Sequence, residues 1–173
     1  DYSDYVTKLD SNGNKIWQWT APDSVKSVAV DSQSNVYAGD GSHPVIKLDG
    51  SGRQVWQWNA SNTVNSVAVD SQFNVYAGDN GYYVTKLDSN GNKIWQWNAS
   101  NTVNSVAVDS QSNVYAGDDN NHVTKLDSNG NKIWQWTAPD SVYPVAVDSQ
   151  FNVYVGDYSD YVTKLDSNGN KIW

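Results

Sequence analysis

The sequence predicts an all-β fold, a β-propeller made of four-stranded antiparallel blades, and three observations lead to this prediction. A unit of 39 residues repeats along the whole chain of 173 residues. Val, Trp, Tyr, Asn, Asp, Ser and Gly dominate the composition, as expected for strands joined by tight turns. Each unit holds four apolar segments separated by turn residues, and about 40 residues per four-stranded unit is typical of propeller blades.

The repeat is clearest in its most constant segments. The stretch "DYSDYVTKLDSNGNKIW" forms residues 1–17 and returns without change as residues 157–173. Residues 1–156 are therefore four repeats, and residues 157–173 begin a fifth. The segment "VTKLD", once written "VIKLD", starts at Val6, Val45, Val84, Val123 and Val162.

The first complete unit contains four predicted strands, which we name a to d in chain order. Strand a is "VKSVAVD" at residues 25–31, and strand b is "NVYAG" at residues 35–39. Strand c is "VIKLD" at residues 45–49, and strand d is "QVWQWN" at residues 54–59. In most repeats the c–d turn is "SNGN", and Asn-Gly between two apolar segments is a strong hairpin signal. Each unit is therefore predicted to be an antiparallel meander.

The apolar patterns of the strands differ. Strands a and b are apolar on both sides, whereas a lysine interrupts every strand c and a glutamine interrupts every complete "WQW" of strand d. Strands that are buried on both faces carry such continuous apolar sequences. We therefore expect an inner half of strands a and b that is buried, and an outer half of strands c and d that is wetter.

The whole chain is predicted to be one propeller or a portion of one. A leading c–d hairpin at residues 1–20 precedes blades at about residues 21–59, 60–98, 99–137 and 138–173, the last with a shortened strand d. The first and last c–d segments compete for one place. Three arrangements would resolve this competition. The leading hairpin replaces the last c–d pair, or partner chains supply the missing blades, or the parent chain is longer than this sequence. We expect a homo-oligomer or further blades of a longer parent, because unpaired sheet edges are adhesive.

Composition excludes several classes of partner and site. The net charge is −8, and the 11 basic residues are spread over the repeats, so nucleic acid is a poor partner. No apolar segment is long enough for membrane insertion. The chain contains no Cys, so disulfides are excluded. We expect a secreted or cell-surface protein of a bacterium or archaeon.

The repeat resembles a known family. "NVYAGDNGYYVTKLDSNGNKIWQW" resembles the repeat of PQQ-type, quinoprotein-like propellers in its "VY-x-G" strand, its "LD-x-x-G-x" turn and its following tryptophan; "SVAVDSQSNVYAGD" also resembles NHL-like bacterial blades. The resemblance covers the whole chain and implies the propeller fold. The chain departs from the family in having nearly identical repeats and an incomplete set of seven or eight blades, so no cofactor is expected. The resemblance further implies that tryptophans dock one blade on the next, namely Trp17, Trp56, Trp95, Trp134 and Trp173.

Variation between repeats is concentrated in one set of loops. In a meander the a–b and c–d turns lie on one rim and the b–c and d–a loops on the other; the b–c loop differs most between repeats. Loops on a rigid scaffold commonly bind ligands, and aromatic and Asx side chains can contact a glycan or a peptide. Drift is the more common explanation of such variation, because exposed loops tolerate most substitutions. The candidate ligand rim consists of Tyr2, Asp4, Tyr5, Ser42, His43, Tyr82, Tyr83, Asn120, Asn121, His122, Tyr158 and Tyr161.

No catalytic or metal site is predicted. The "DSNGN" turns differ from calcium loops, because Gly stands fourth instead of sixth and no Glu closes the loop. His43 and His122 are the only imidazoles, and two such residues indicate neither a metal site nor a base.

The first functional hypothesis is a non-catalytic propeller, a scaffold or interaction module that arose by recent blade amplification. The alternative is a multivalent lectin-like binder that uses the variable b–c rim, with one weak site per blade. A second alternative is a fragment of a quinoprotein-type enzyme.

Overall fold

The computed structural model describes residues 4–173, which form seventeen strands and no helix. The prediction of an all-β propeller of four-stranded antiparallel blades is confirmed. A hairpin leads the chain, three complete four-stranded sheets follow it, and a three-stranded sheet comes last. None of the described residues forms a helix that is long and apolar enough to cross a bilayer.

The strands follow one another as simple meanders. The leading hairpin is β1 (Tyr5–Leu9) and β2 (Lys15–Thr20). The first blade is β3 (Val25–Val30), β4 (Val36–Asp40), β5 (Pro44–Leu48) and β6 (Gln54–Asn59). The second is β7 (Val64–Val69), β8 (Val75–Asp79), β9 (Tyr83–Leu87) and β10 (Lys93–Asn98). The third is β11 (Val103–Val108), β12 (Val114–Asp118), β13 (His122–Leu126) and β14 (Lys132–Thr137). The fourth is β15 (Val142–Val147), β16 (Val153–Asp157) and β17 (Val162–Leu165), beside which Lys171 forms a single bridge to Leu165.

One aspartate organises each a–b turn. The carboxylate of Asp70 accepts the backbone N–H groups of Gln72 and Asn74, the amide of Asn74 and the hydroxyl of Tyr76. Burial tends to raise the pKa of Asp70, but these hydrogen bonds, with another from Ser112, outweigh it and lower the pKa. The recurring "DSQ-x-N-x-Y" segment therefore forms the same turn in every blade.

The burial of the strands differs from the prediction of an inner half made of a and b. The middle strands b and c are the most buried: all five residues of β8 and all but the first of β9 are buried. Strand a is only half buried, since Val64 and Val67 are the buried residues of β7. The reason is that b and c have sheet neighbours on both sides and a blade on each face, whereas a borders the axis and d borders the outside.

The core consists of repeated junctions between successive blades. At the first complete junction, Tyr37 and Val45 pack against Val64, Val67 and Leu87. A β-carbon placed on Gly78 would lie 2.5 Å from Cγ1 of Val103, so the approach of blade two to blade three requires glycine in strand b.

The four blades form an open arc. Strand a of each blade packs against strand a of the next, through the contacts of β3 with β7, β7 with β11, and β11 with β15. Among the described residues, β3 and β15 share no comparable contact. The described residues therefore do not close a ring by themselves.

Candidate functional site

A polar groove of about 640 Å³ lies at the inner edge of the rim formed by the b–c and d–a loops. Hydrogen bonds between those two loops, such as Gly41 N–H to Ser24 O at 2.9 Å, place them on the same rim. The groove spans all four blades near the axis. Its lining residues are Lys26, Asn65, Asn80, Thr102, Asn104, Asp119 and Tyr143.

Four of the lining residues occupy one place in the repeat, the second residue of strand a. That residue changes from blade to blade, as Lys26, Asn65, Asn104 and Tyr143. The valines at the two ends of strand a are the same in every blade. Because strand a is the innermost strand, its second residues gather around the axis. The groove therefore combines one cation, two amides and one phenol from a single repeat position.

The two asparagines also connect blades. Nδ2 of Asn104 donates to Oδ1 of Asp119 at 2.6 Å and to the carbonyl of Val142 in the next blade at 3.1 Å. Asn65 makes the corresponding bonds to Asn80 and Val103 at 2.6 and 3.0 Å. Both amide hydrogens of each are thus engaged, which leaves the amide oxygens as acceptors for a ligand.

Two tyrosines form one end of the groove region. The rings of Tyr143 and Tyr158 meet edge to face with centroids 4.8 Å apart. The two side chains are 46% and 63% exposed, although each is large and apolar. They give the groove an accessible aromatic border, a surface suited to stacking.

The predicted candidate rim lies mostly outside this groove. Tyr158 is in contact with a groove-lining residue, whereas Tyr2 lies outside the described residues. Asp4, Tyr5, Ser42, His43, Tyr82, Asn120 and Tyr161 are exposed, and Tyr83, Asn121 and His122 are half buried.

Several rim residues shape their own loops. Buried Asp79 accepts the N–H of Tyr83 at 3.0 Å, and Tyr82 between them has a left-handed φ of 72°. Asp118 accepts the N–H groups of Asn120 and His122 in the same way. Burial raises the pKa of Asp79 despite the hydrogen bonds that its carboxylate accepts from Tyr83 and Ser61.

Ser100, His122 and Asp118 are the closest approach to a catalytic arrangement. Oγ of Ser100 donates to Asp118 at 2.7 Å and lies 2.9 Å from Nδ1 of His122. The Asp118 carboxylate lies 3.6 Å from the same nitrogen. A serine–histidine–aspartate relay needs the hydroxyl and the carboxylate at opposite ring nitrogens, so this cluster lacks that geometry. Within residues 4–173, no three His, Cys, Asp or Glu side chains gather as a metal site would require.

Tryptophans at the start of "WQW" contact the following blade. Each packs on the glycine of the next c–d turn and donates its indole N–H to a backbone carbonyl of that turn. The hydrogen bonds measure 3.1, 3.0, 3.0 and 3.0 Å for Trp17, Trp56, Trp95 and Trp134. Trp173 differs from the docking role that the resemblance implied: it is 56% exposed and lies beside Tyr154 of its own blade. No following blade is present to receive it in the described chain.

Sequence reasoning missed the strand a residues of the groove. Lys26 and Asn65 resemble ordinary polar interruptions of a strand, and the b–c loops vary more between repeats. A comparison of the four a strands, "VKSVAV", "VNSVAV", "VNSVAV" and "VYPVAV", contains the missing signal, because variation is concentrated at the second residue.

Comparison with known proteins gave one informative result. A protein-family model described as outer membrane protein assembly factor BamB matches residues 3–173. No curated protein matches the chain. The match covers nearly all of the sequence and includes every blade.

Proposed function

Since the chain belongs to the family of PQQ-type propeller repeats described as outer membrane protein assembly factor BamB, we propose that it is a non-catalytic scaffold or interaction module and part of a larger or multi-chain ring. One observation carries this proposal. Blade-packing side chains make the same contacts at each junction, while variation is concentrated at the groove and its rim. A rigid frame with one variable surface is the arrangement of a binding module.

The engagement of the polar side chains supports the non-catalytic part of the proposal. The a–b turn aspartates accept hydrogen bonds from their own turns, and the buried lysines serve packing. Nζ of Lys86, for example, donates to Ser128 O at 3.2 Å and lies 5.2 Å from the centre of the Tyr76 ring. Such groups are committed to structure and are poorly available for acid–base chemistry.

Reconstitution tests the non-catalytic part directly. The purified chain is dialysed with pyrroloquinoline quinone and calcium, and binding and alcohol-dependent dye reduction are measured. We expect no dye reduction and no change of tryptophan fluorescence. Saturable quinone binding with dye reduction would establish the enzyme alternative instead.

A second candidate function is glycan binding at the groove. The exposed Tyr143–Tyr158 pair offers aromatic faces, and the asparagine oxygens, Asp119 and Thr102 offer polar partners for hydroxyl groups. Because one groove spans the four blades, the geometry favours one shared site per chain over one weak site per blade.

Calorimetry with a panel of oligosaccharides tests this candidate. A groove ligand should bind at one site per chain, and Tyr143→Ala should weaken it at least tenfold. Tyr161→Ala, at another exposed tyrosine of the rim, is the control and should leave binding unchanged. One ligand per blade, or equal losses in both variants, would favour the outer rim.

A further inference from the structure

The first blade exposes an apolar surface on strand a whose counterpart is buried in every later blade. Val28 of β3 is 54% exposed, whereas its counterpart Val67 in the second blade is 6% exposed. Val106 and Val145, at the same place in later blades, are 6% and 8% exposed. Val30 of β3 is exposed as well, at 60%. Sequence does not explain the difference, because the residue is valine each time.

The covering element in the later blades is the a–b strand pair of the preceding blade. Ala29 and Tyr37 of the first blade pack against Val64 and Val67 of the second, and the backbone N–H of Val67 donates to Ser27 Oγ at 3.1 Å. The corresponding place beside β3 is an apolar groove of about 200 Å³, bordered by Val28, Val30 and the leading hairpin. The missing cover is therefore one a–b pair.

The leading hairpin is bare on the same side. Leu9 is 54% exposed, whereas Leu48, Leu87, Leu126 and Leu165, its counterparts in the four blades, are completely buried. A β-carbon on Gly13 would meet no atom within 4 Å, although the equivalent glycine of every later c–d turn carries a tryptophan of the preceding blade. The hairpin thus has the sequence of a c–d pair that packs against a preceding blade, but no preceding blade contacts it among the described residues.

The last blade contains the a–b pair that the hairpin lacks. Beside β15 and β16 lie β17 and residues 171–173, which have the same sequence as the corresponding part of the hairpin. The outward side of this c–d segment is bare, with Val162 62% exposed, whereas Val6 in the hairpin is 7% exposed. The two ends of the arc therefore expose the two surfaces that pack against each other at every internal blade junction.

From these two faces we propose that the hairpin β1–β2 of one copy replaces residues 162–173 beside β16 of a second copy, and that two copies exchange hairpins reciprocally. Each exchange builds one composite blade from β15 and β16 of one chain and β1 and β2 of the other. Two copies then form a ring of eight blades. The exchange rests on the proposed function in one respect, namely that more than one chain contributes blades to the ring.

The balance of contacts favours the exchange. Residues 6–17 and 162–173 are identical, so the incoming hairpin remakes the contacts that the outgoing segment gives up. The hairpin adds a full strand d, in which Trp19 pairs with Val6, and it brings Val28 and Val30 under the a–b pair. Burial of apolar side chains stabilises the assembly, and exchange of identical elements is a low-cost route to dimers.

One hydrogen bond is missing from the composite junction. Ser27, Ser66 and Ser105 accept an N–H from the next blade, but the fourth blade has Pro144 at this place. The composite junction is therefore weaker by one hydrogen bond than the internal junctions. Pro144→Ser should restore the bond, to the N–H of Val28, and tighten the dimer several-fold.

Two copies match the geometry better than one. Internal closure would require β15 to pack on β3, and these strands share no comparable contact in the described arc. A ring made of copies of residues 1–173 contains a multiple of four blades, and propellers typically have about four to eight. Two chains give the larger of these numbers.

Mass in solution, combined with a matched pair of variants, tests the exchange. We expect a dimer of twice 19.1 kDa by sedimentation equilibrium of the full chain. Leu9→Ala should weaken the dimer at least tenfold, because Leu9 is buried only after exchange. Leu165→Ala, the same change in the identical segment, should strengthen the dimer, because it weakens the competitor. A monomer at all concentrations, or loss of dimer in both variants, would overturn the proposal.

Engineered disulfides provide an independent test, since the chain has no Cys of its own. Val155 pairs with Thr163 across β16 and β17, and after exchange it would pair with Thr7 of the other copy. Val155→Cys with Thr7→Cys should give a covalent dimer, whereas Val155→Cys with Thr163→Cys should give an intramolecular bond. Absence of the covalent dimer overturns the exchange while leaving the scaffold proposal intact, which quinone and oligosaccharide binding test separately.

Discussion

Trp56 and Gly91 lie in contact across the junction between the first and second complete blades. A β-carbon on Gly91 would lie 2.9 Å from Cδ2 of Trp56, and the indole N–H donates to Ser89 O at 3.0 Å. Gly91 has a φ of 85°, a conformation that favours glycine. Two independent constraints thus require glycine at this position: the left-handed backbone of the turn and the close approach of the Trp56 ring.

Gly91→Ala should destabilise the chain by about 2–4 kcal/mol, because the methyl group meets the Trp56 ring and the backbone is left-handed. Urea unfolding followed by tryptophan fluorescence measures this change. Gly50→Ser, in the first blade, is the control: four other copies of the turn have serine there, and the change should stay within about 0.5 kcal/mol. Equal effects of the two substitutions would contradict the docking role of the glycine.

Ser66→Ala should destabilise the chain by about 1 kcal/mol, because the N–H of Val106 loses its acceptor at 3.0 Å across the inner junction. The local effect is sharper than the global one. Amide hydrogen exchange at Val106 should accelerate, whereas Ser71→Ala, in an exposed turn, should leave it unchanged. Unchanged exchange at Val106 in Ser66→Ala would show that water replaces the serine without cost.

Acid should unfold the protein partly through its a–b turns. Hydrogen bonding from Asn152 lowers the pKa of Asp148 to about 2, from 3.8. A carboxylate with a lowered pKa stabilises the fold above the unfolded value, and this contribution disappears as the pH falls through the folded value. Asp148→Asn should therefore reduce the dependence of unfolding free energy on pH between about 4 and 2. The same slope in the variant and the parent chain would refute this account.

Asp40 should titrate above its ordinary range because one of its oxygens is buried without a donor. Burial raises its pKa, and among the described atoms Oδ2 has no hydrogen-bond partner. In the next two blades a serine donates to this oxygen, as Ser61 does to Asp79 at 3.1 Å, but the first blade has Pro22 there. A raised carboxyl pKa favours folding below the unfolded value and loses that contribution as the pH rises through the folded value.

Pro22→Ser should supply the missing donor and lower the pKa of Asp40. Carbon-detected titration of the side-chain carboxyls measures the shift, with Asp148 in the same spectrum as the internal reference. The loss of stability between pH 4 and neutral pH that Asp40 causes should become smaller. A pKa of Asp40 that does not move would mean that the new hydroxyl points elsewhere.

The strands and turns were predictable because their signals are local. The Asp and Asn residues of the a–b turn bond within six residues of each other, and β6 covers the residues predicted for strand d. The period of 39 residues then repeats one solved unit along the chain. The family followed from the same local segments, since "VY-x-G" and "LD-x-x-G-x" recur in every blade.

The sequence by itself thus determined the blade, its hairpins and its family, since each depends on residues close together in the chain. Only the tertiary structure decided what each copy of a residue does. Val28 and Val67 have the same neighbours in sequence, but one is exposed and the other buried, because a preceding a–b pair covers only the second. The groove likewise arises from Lys26, Asn104 and Tyr143, which curvature of the arc brings to one axis from distant repeats. Burial and proximity across blades depend on residues that are far apart in the chain, so identical local sequences cannot predict them.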